Sequence, residues 1–178
     1  MNKQDTLKPL DLVVAIALSV EAPRPPKTYA QLGAELGVSP SRVHEAVERL
    51  GLSGLLRVGT RNPNRHALRN FLAHGVQYAF PPQLGRKARG FPTAYAGPVL
   101  AQMFDYTTSM VWPDHSGTDH GTALNPLYPN AVSLPERWPG LYRTLTLVDA
   151  IRVGRARERK AALAALEETF SKAQGIAA

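Results

Sequence analysis

Two apolar rhythms run along the chain, and the one with a period near 3.6 dominates. Leu10 to Val20 is almost continuously apolar, with Pro9 at a favourable first-turn position, and predicts a buried helix. Pro23 to Pro26 then forbids a helix and predicts a loop. Thr28 to Leu36 reads as a short helix. Thr28 is the candidate N-cap, Tyr29, Leu32, Gly33 and Leu36 share one face, and Gly37 closes it. The next segment is the clearest. Ser39 caps, Pro40 opens, and Val43, Ala46, Val47 and Leu50 fall at i, i+3, i+4 and i+7, so one stripe faces a core. Its other face carries Ser41, Arg42, His44, Glu45, Glu48 and Arg49.

Further along the signals weaken. Leu52 to Val58 predicts a turn and a possible strand. Asn62 and Pro63 look like a cap and first turn before a helix from about Asn64 to His74, with Leu68, Phe71 and Leu72 inward. Val76 to Phe80 alternates at period two and predicts a strand, with Phe91 to Tyr95 as its partner. The prolines at 81, 82 and 92 confine that pair to an edge hairpin with a long loop. Pro98 to Met103 reads as a short helix. Asp105 to Pro139 reads as mostly loop, which is suspiciously long for a compact domain. Two helices close the chain, Leu141 to Val153 and Arg155 to Phe170, broken at Gly154.

Charge changes the picture more than composition does. The net charge is +7, and all of the excess lies in residues 1–100, with 13 bases against 6 acids; residues 101–178 hold eight of each. No acid occurs between Glu48 and Asp105, while Arg49, Arg57, Arg61, Arg65, Arg69, Arg86, Lys87 and Arg89 do. Such a one-sided field attracts a polyanion. Arg61, Arg65 and Arg69 are spaced by four and so are expected on one helix face. The chain has no cysteine, which excludes disulfides, cysteine-bound zinc, iron–sulfur clusters and a thiol nucleophile, and suits a reducing cytoplasm. The longest apolar run, Leu12 to Leu18, is far short of a membrane span, and no secretory leader is expected.

Helix, tight turn at Gly37 to Ser39, then a striped helix with a polar outer face is a helix-turn-helix pattern. Residues 28–58, with Tyr29 to Leu50 at their heart, resemble the winged helix-turn-helix transcription regulators of the MarR-like and GntR-like groups; a looser likeness covers about residues 8–96. The resemblance implies a mainly α fold with a small β-hairpin wing: a winged helix-turn-helix domain over residues 1–100, then a loop-rich segment and C-terminal helices over 101–178. It implies sequence-specific binding of double-stranded DNA, as a repressor or antitoxin-like regulator, with no catalysis and no cofactor. Ser39, Ser41, Arg42, His44 and Glu45 match positions that face bases or phosphates. Thr28, Arg49, Arg61, Arg65 and Arg69 are further candidates for the DNA surface. Gly85 to Gly90, with Arg86, Lys87 and Arg89, fits the wing, although about 25 residues separate it from the recognition helix, where an ordinary wing follows almost directly. Either the wing is displaced, or Leu55 to Arg61 starts a different hairpin.

A homodimer is expected, since one helix reads too few bases, with the C-terminal helices as its contact. Arg152, Arg155 and Arg159 are expected on one face, which serves as solvated surface, phosphate track or partner contact. Two other functions compete. One is a winged helix that docks to a protein partner. The other is a metal-dependent nuclease using Asp114, His115, Asp119 and His120, whose spacing matches no established metal motif. Glu48 is expected to serve in a salt bridge.

Overall fold

A computed structural model describes residues 6–20, 27–104 and 108–175. The Pro23–Pro26 loop and Asp105 lie outside these residues. Eight helices occur among them: α1 (Pro9–Val20), α2 (Tyr29–Leu36), α3 (Pro40–Leu52), α4 (Arg65–His74), α5 (Val76–Ala79), α6 (Leu134–Arg137), α7 (Pro139–Val153) and α8 (Ala156–Gly175). Three strands join them: β1 (Leu84–Pro92), β2 (Ser109–Pro113) and β3 (Asp119–Leu124). The protein is therefore α-rich, with one small mixed sheet, and among the described residues no helix is long and apolar enough to cross a membrane.

The reason α1 is almost wholly apolar is its position. It packs on α3, α7 and α8 at once, and Leu12, Val13, Val14, Ala15 and Ile16 are all fully buried. Around it, a single hydrophobic cluster takes Leu32, Val43 and Leu50 from the first half of the chain. The same cluster takes Trp112, Leu141, Leu145, Val148 and Leu166 from the second. Each such leucine contributes about 1.5–3 kcal/mol on burial. The apolar stripes of the two C-terminal helices are thus spent inside the same chain.

Local signals hold where the expectations rest on caps. Thr28, Ser39 and Asn64 each accept a hydrogen bond from the backbone N–H three residues on, at Gln31, Arg42 and Ala67. The cap of α4 is Asn64, not Asn62, because Asn62 and Pro63 belong to the preceding turn. Phe71 is half-buried, whereas Leu68 and Leu72 are buried.

Much of the expected β structure is displaced, although Phe91 and Pro92 do lie in a strand. Val76 to Phe80 is no strand: Gly75 and Val76 carbonyls accept from Ala79 and Phe80, making one helical turn that leaves Tyr78 outward and sets Phe80 edge-on to Phe71. Five residues of alternation are too few to outweigh the turn. The expected loop from Gly85 to Gly90 lies within a strand, β1. β1 pairs antiparallel with β3 (Lys87 opposite Thr122, Arg89 opposite His120) and, at its end, with β2 (Phe91 opposite Trp112). β2 and β3 run parallel, Met110 beside Thr122, so the three strands close on one another. Closure demands a glycine at position 90, where a Cβ would stand 2.0 Å from the Trp112 carbonyl oxygen. Tyr95 falls in a 3-10 turn (Ala94–Ala96) rather than a strand, and Pro98 to Met103 forms turns instead of a helix. The stretch expected as loop, Asp105 to Pro139, holds β2, β3, a 3-10 turn (Pro129–Ser133) and α6.

A buried carboxylate fastens this sheet to α7. Asp149 accepts from Thr93 Oγ1 (2.8 Å), Trp112 Nε1 (2.6 Å) and Arg152 (2.6 Å). Burial pushes its pKa up, and these three partners oppose that by holding the charge. Arg152 also donates to the Phe80 carbonyl at 2.8 Å. It is therefore an internal clamp and no part of a solvent-facing basic track. The expected common face of Arg152, Arg155 and Arg159 does not form, because Gly154 separates α7 from α8.

Candidate nucleic-acid interface

The α2–α3 unit is built from its turn outward. Gly37 takes a left-handed φ of 66°, which costs glycine nothing, and its N–H and that of Val38 close back on α2. The Gly37 carbonyl accepts from Asn130 Nδ2 at 2.5 Å, and Lys27 Nζ lies 4.0 Å above the Trp138 ring. Two contacts from the second half of the chain thus hold the helix pair in place. Thr28 forms a full capping box with Gln31. Its hydroxyl is engaged in the cap.

On α3 the outer face divides along its length. Ser39, Ser41 and Arg42 occupy the exposed first turn, with the two serine hydroxyls 3.0 Å apart. The Arg42 guanidinium has no partner among the described residues. His44 is exposed, edge-on to Tyr29 at 5.3 Å, and 3.8 Å from Glu48. Further on the face turns inward in function. Arg49 is buried and donates to both Asp11 oxygens at 2.7 and 2.8 Å, with Glu45 at 3.5 Å. The hydrogen bond to Asp11 raises its pKa still further, against the cost of burial. Arg49 is thus turned into the core, and the half-exposed Glu45 pairs with it from the outer face.

Three further candidate arginines are occupied. Arg61 donates to the Lys27 carbonyl and stacks 5.3 Å from the Tyr29 ring. Arg65 donates to the Phe170 carbonyl, and its partial burial lowers its pKa. Arg69 pairs with Glu167. Only the last two lie on α4, so the expected shared face of Arg61, Arg65 and Arg69 does not exist.

Arg86, Lys87 and Arg89 stand exposed on β1 instead of on a loop. Lys87 and Arg89, two apart, face the same side as His120, which lies opposite Arg89. Arg89 Nε donates to the Gly117 carbonyl at 2.6 Å, while Arg86 and Lys87 have no partner among the described residues. A different hairpin turn does follow α3 directly. Asn64 N–H donates to Leu55 O, Leu56 bridges Pro63, and Arg57 N–H donates to Asn62 O, each hydrogen bond being 2.9 Å. Arg57, Val58, Gly59 and Thr60 form its exposed tip, with Gly59 at φ 69°. This is the different hairpin that the sequence offered from Leu55 to Arg61 as the alternative to a displaced wing.

The Asp114–His120 loop is occupied by its own turn. Asp114 accepts from Ser116 N–H at 2.8 Å and Oγ at 2.5 Å, which depresses its pKa, and His115 is fully exposed. Among the described residues no three His, Asp or Glu side chains gather at metal-binding distance. No family, curated protein or solved structure matches this chain.

Proposed function

We propose that the protein is a sequence-specific DNA-binding regulator of transcription that inserts the first turns of α3 into the major groove. The observation that carries the reading is Arg42, whose guanidinium has no partner among the described residues. It stands on an exposed polar turn of a helix whose opposite face is fully packed. A guanidinium held there by a rigid helix can address guanine N7 and O6 in pairs, and Ser39 and Ser41 beside it suit phosphate oxygens at a helix N-terminus. Arg86, Lys87 and Arg89 supply charge for backbone contact, which adds affinity without sequence preference.

Fluorescence anisotropy on duplex DNA at two salt concentrations tests it. Specific binding is expected to fall roughly 5–150-fold in Arg42→Ala, the equivalent of one bidentate base contact. Neutralising Arg86, Lys87 and Arg89 is expected to lower affinity for all duplexes alike. It is also expected to reduce the slope of log affinity against log salt by about 2.7, at ~0.9 per phosphate. Binding untouched by both sets of changes would overturn the reading.

A further inference from the structure

The surfaces expected to pair two copies are consumed within one. Leu141, Leu145, Val148, Leu166 and the α1 apolar residues are buried in the chain's own core. Among the described residues five large apolar side chains remain exposed, and two of them, Leu52 (73% exposed) and Val58 (85%), flank the same groove. It is about 950 Å³ in volume and lies between the C-terminal half of α3 and the 55–64 hairpin, with Tyr29 and Val47 lining it beside Glu48 and Arg61.

We infer that this groove is where a second copy of the chain docks, each copy placing its Leu52 and Val58 against the other about a two-fold axis. The charge pattern argues for that occupant. The α3 lip is acidic, with Glu48 well exposed and only the His44 ring nearby at 3.8 Å. The hairpin side is basic: Arg61 lines the groove, tied to the Lys27 carbonyl and the Tyr29 ring, and the exposed Arg57, without a side-chain partner among the described residues, stands next to Val58. A two-fold contact sets residue i of one copy against residue j of the other, and j against i. An acidic lip facing a basic lip across an apolar floor is therefore complementary to itself. Enclosing Leu52 and Val58 would remove two neighbouring apolar side chains from water.

The geometry also suits the DNA-binding reading, on which this one step rests. Leu52 lies ten residues beyond Arg42, about 15 Å along a helix axis. Helices meeting tail to tail at Leu52 on a common axis would leave the two Arg42 residues at opposite ends, about 30 Å apart. Half-sites one turn of DNA apart are separated by about 34 Å.

The test uses the full chain without DNA. Sedimentation equilibrium at micromolar concentration is expected to show a dimer. Leu52→Asp and Val58→Asp are each expected to raise its dissociation constant by roughly tenfold or more. At concentrations low enough for wild type to be monomeric their melting curves are expected to match it, since both side chains point to solvent in the monomer; where wild type is dimeric, it is expected to melt higher than either. The absence of cysteine gives a second readout. Val58→Cys is expected to yield a covalent dimer with a short bis-maleimide, whereas Met103→Cys, also exposed and apolar, is not. A monomeric wild type, or a dimer indifferent to both aspartates, would overturn the inference. Arg42→Ala is expected to remain dimeric. A dimer that binds no DNA would therefore defeat the functional reading and spare this one, and a DNA-binding monomer would do the reverse.

Discussion

The α2–α3 unit and the three-stranded sheet are each fastened to the helical core by a buried carboxylate and an arginine, yet the two fastenings carry different burdens. Asp11 ties α3 to α1 through Arg49, and Arg49 has Glu45 as a second carboxylate 3.5 Å away. Asp149 holds Arg152, Trp112 and Thr93 together, and no other carboxylate pairs with Arg152 among the described residues. The helix pair also has its own caps and its own apolar stripe. The sheet pairs residues that are distant in the chain. A locally encoded unit uses its buried ion pair for position, whereas the sheet depends on its buried network for existence.

The largest effect is accordingly expected at the sheet. Asp149→Ala strands Arg152 in the interior, where an uncompensated charge costs about 3–5 kcal/mol. It also leaves Trp112 Nε1 and Thr93 without an acceptor, each a further cost of about 1–3 kcal/mol. Chemical denaturation is expected to find the variant largely unfolded. A loss below about 2 kcal/mol would show that the network is dispensable.

Gly90→Ala comes next. Its Cβ would overlap the Trp112 carbonyl, and backbone has little room to yield. We expect a loss of about 3 kcal/mol, at the upper end for overpacking, with the tryptophan fluorescence of Trp112 shifted even where the helices persist by circular dichroism. Asp11→Ala is expected to cost less than Asp149→Ala, near 3 kcal/mol, because Glu45 can still serve Arg49. Equal losses in the two variants, measured by urea unfolding, would erase the distinction between the two fastenings. Smallest is Ser39→Ala, about 1 kcal/mol for a lost N-cap, read as a modest drop in melting temperature.

The same contrast decides what was legible in the sequence. Thr28, Gly37, Ser39, Pro40 and the Val43–Leu50 stripe act within a few residues of themselves, so the α2–α3 pair could be read nearly residue by residue. β1 could not. Leu84 to Pro92 is exposed over its first half, rich in charge and glycine, and becomes a strand only because β2 and β3 pair with it. β2 hides three successive residues, Met110 to Trp112, and so shows no alternation. For the candidate surface, the sequence named Arg42 among many bases but did not show which of them the fold holds inside the chain. Spacing and charge pointed to Arg49, Arg61, Arg65 and Arg69, and each of these is held by a carboxylate or carbonyl supplied from elsewhere in the chain. Arg42 is distinguished by the absence of such a partner. That difference rests on tertiary contacts such as Asp11 with Arg49, 38 residues apart, and no local pattern reports it.

Under the proposed function Arg42 reads a base while Arg49, bound to Asp11, holds the fold. Selection of duplexes from a random pool, with wild type and Arg42→Ala in parallel, tests it most directly. The account predicts that wild type enriches one motif over the pool. Arg42→Ala, folded and melting as wild type does, should lose that enrichment at one or more positions while keeping salt-sensitive binding to any duplex. The same motif enriched to the same degree by both proteins, or no motif enriched by the wild type, would contradict it.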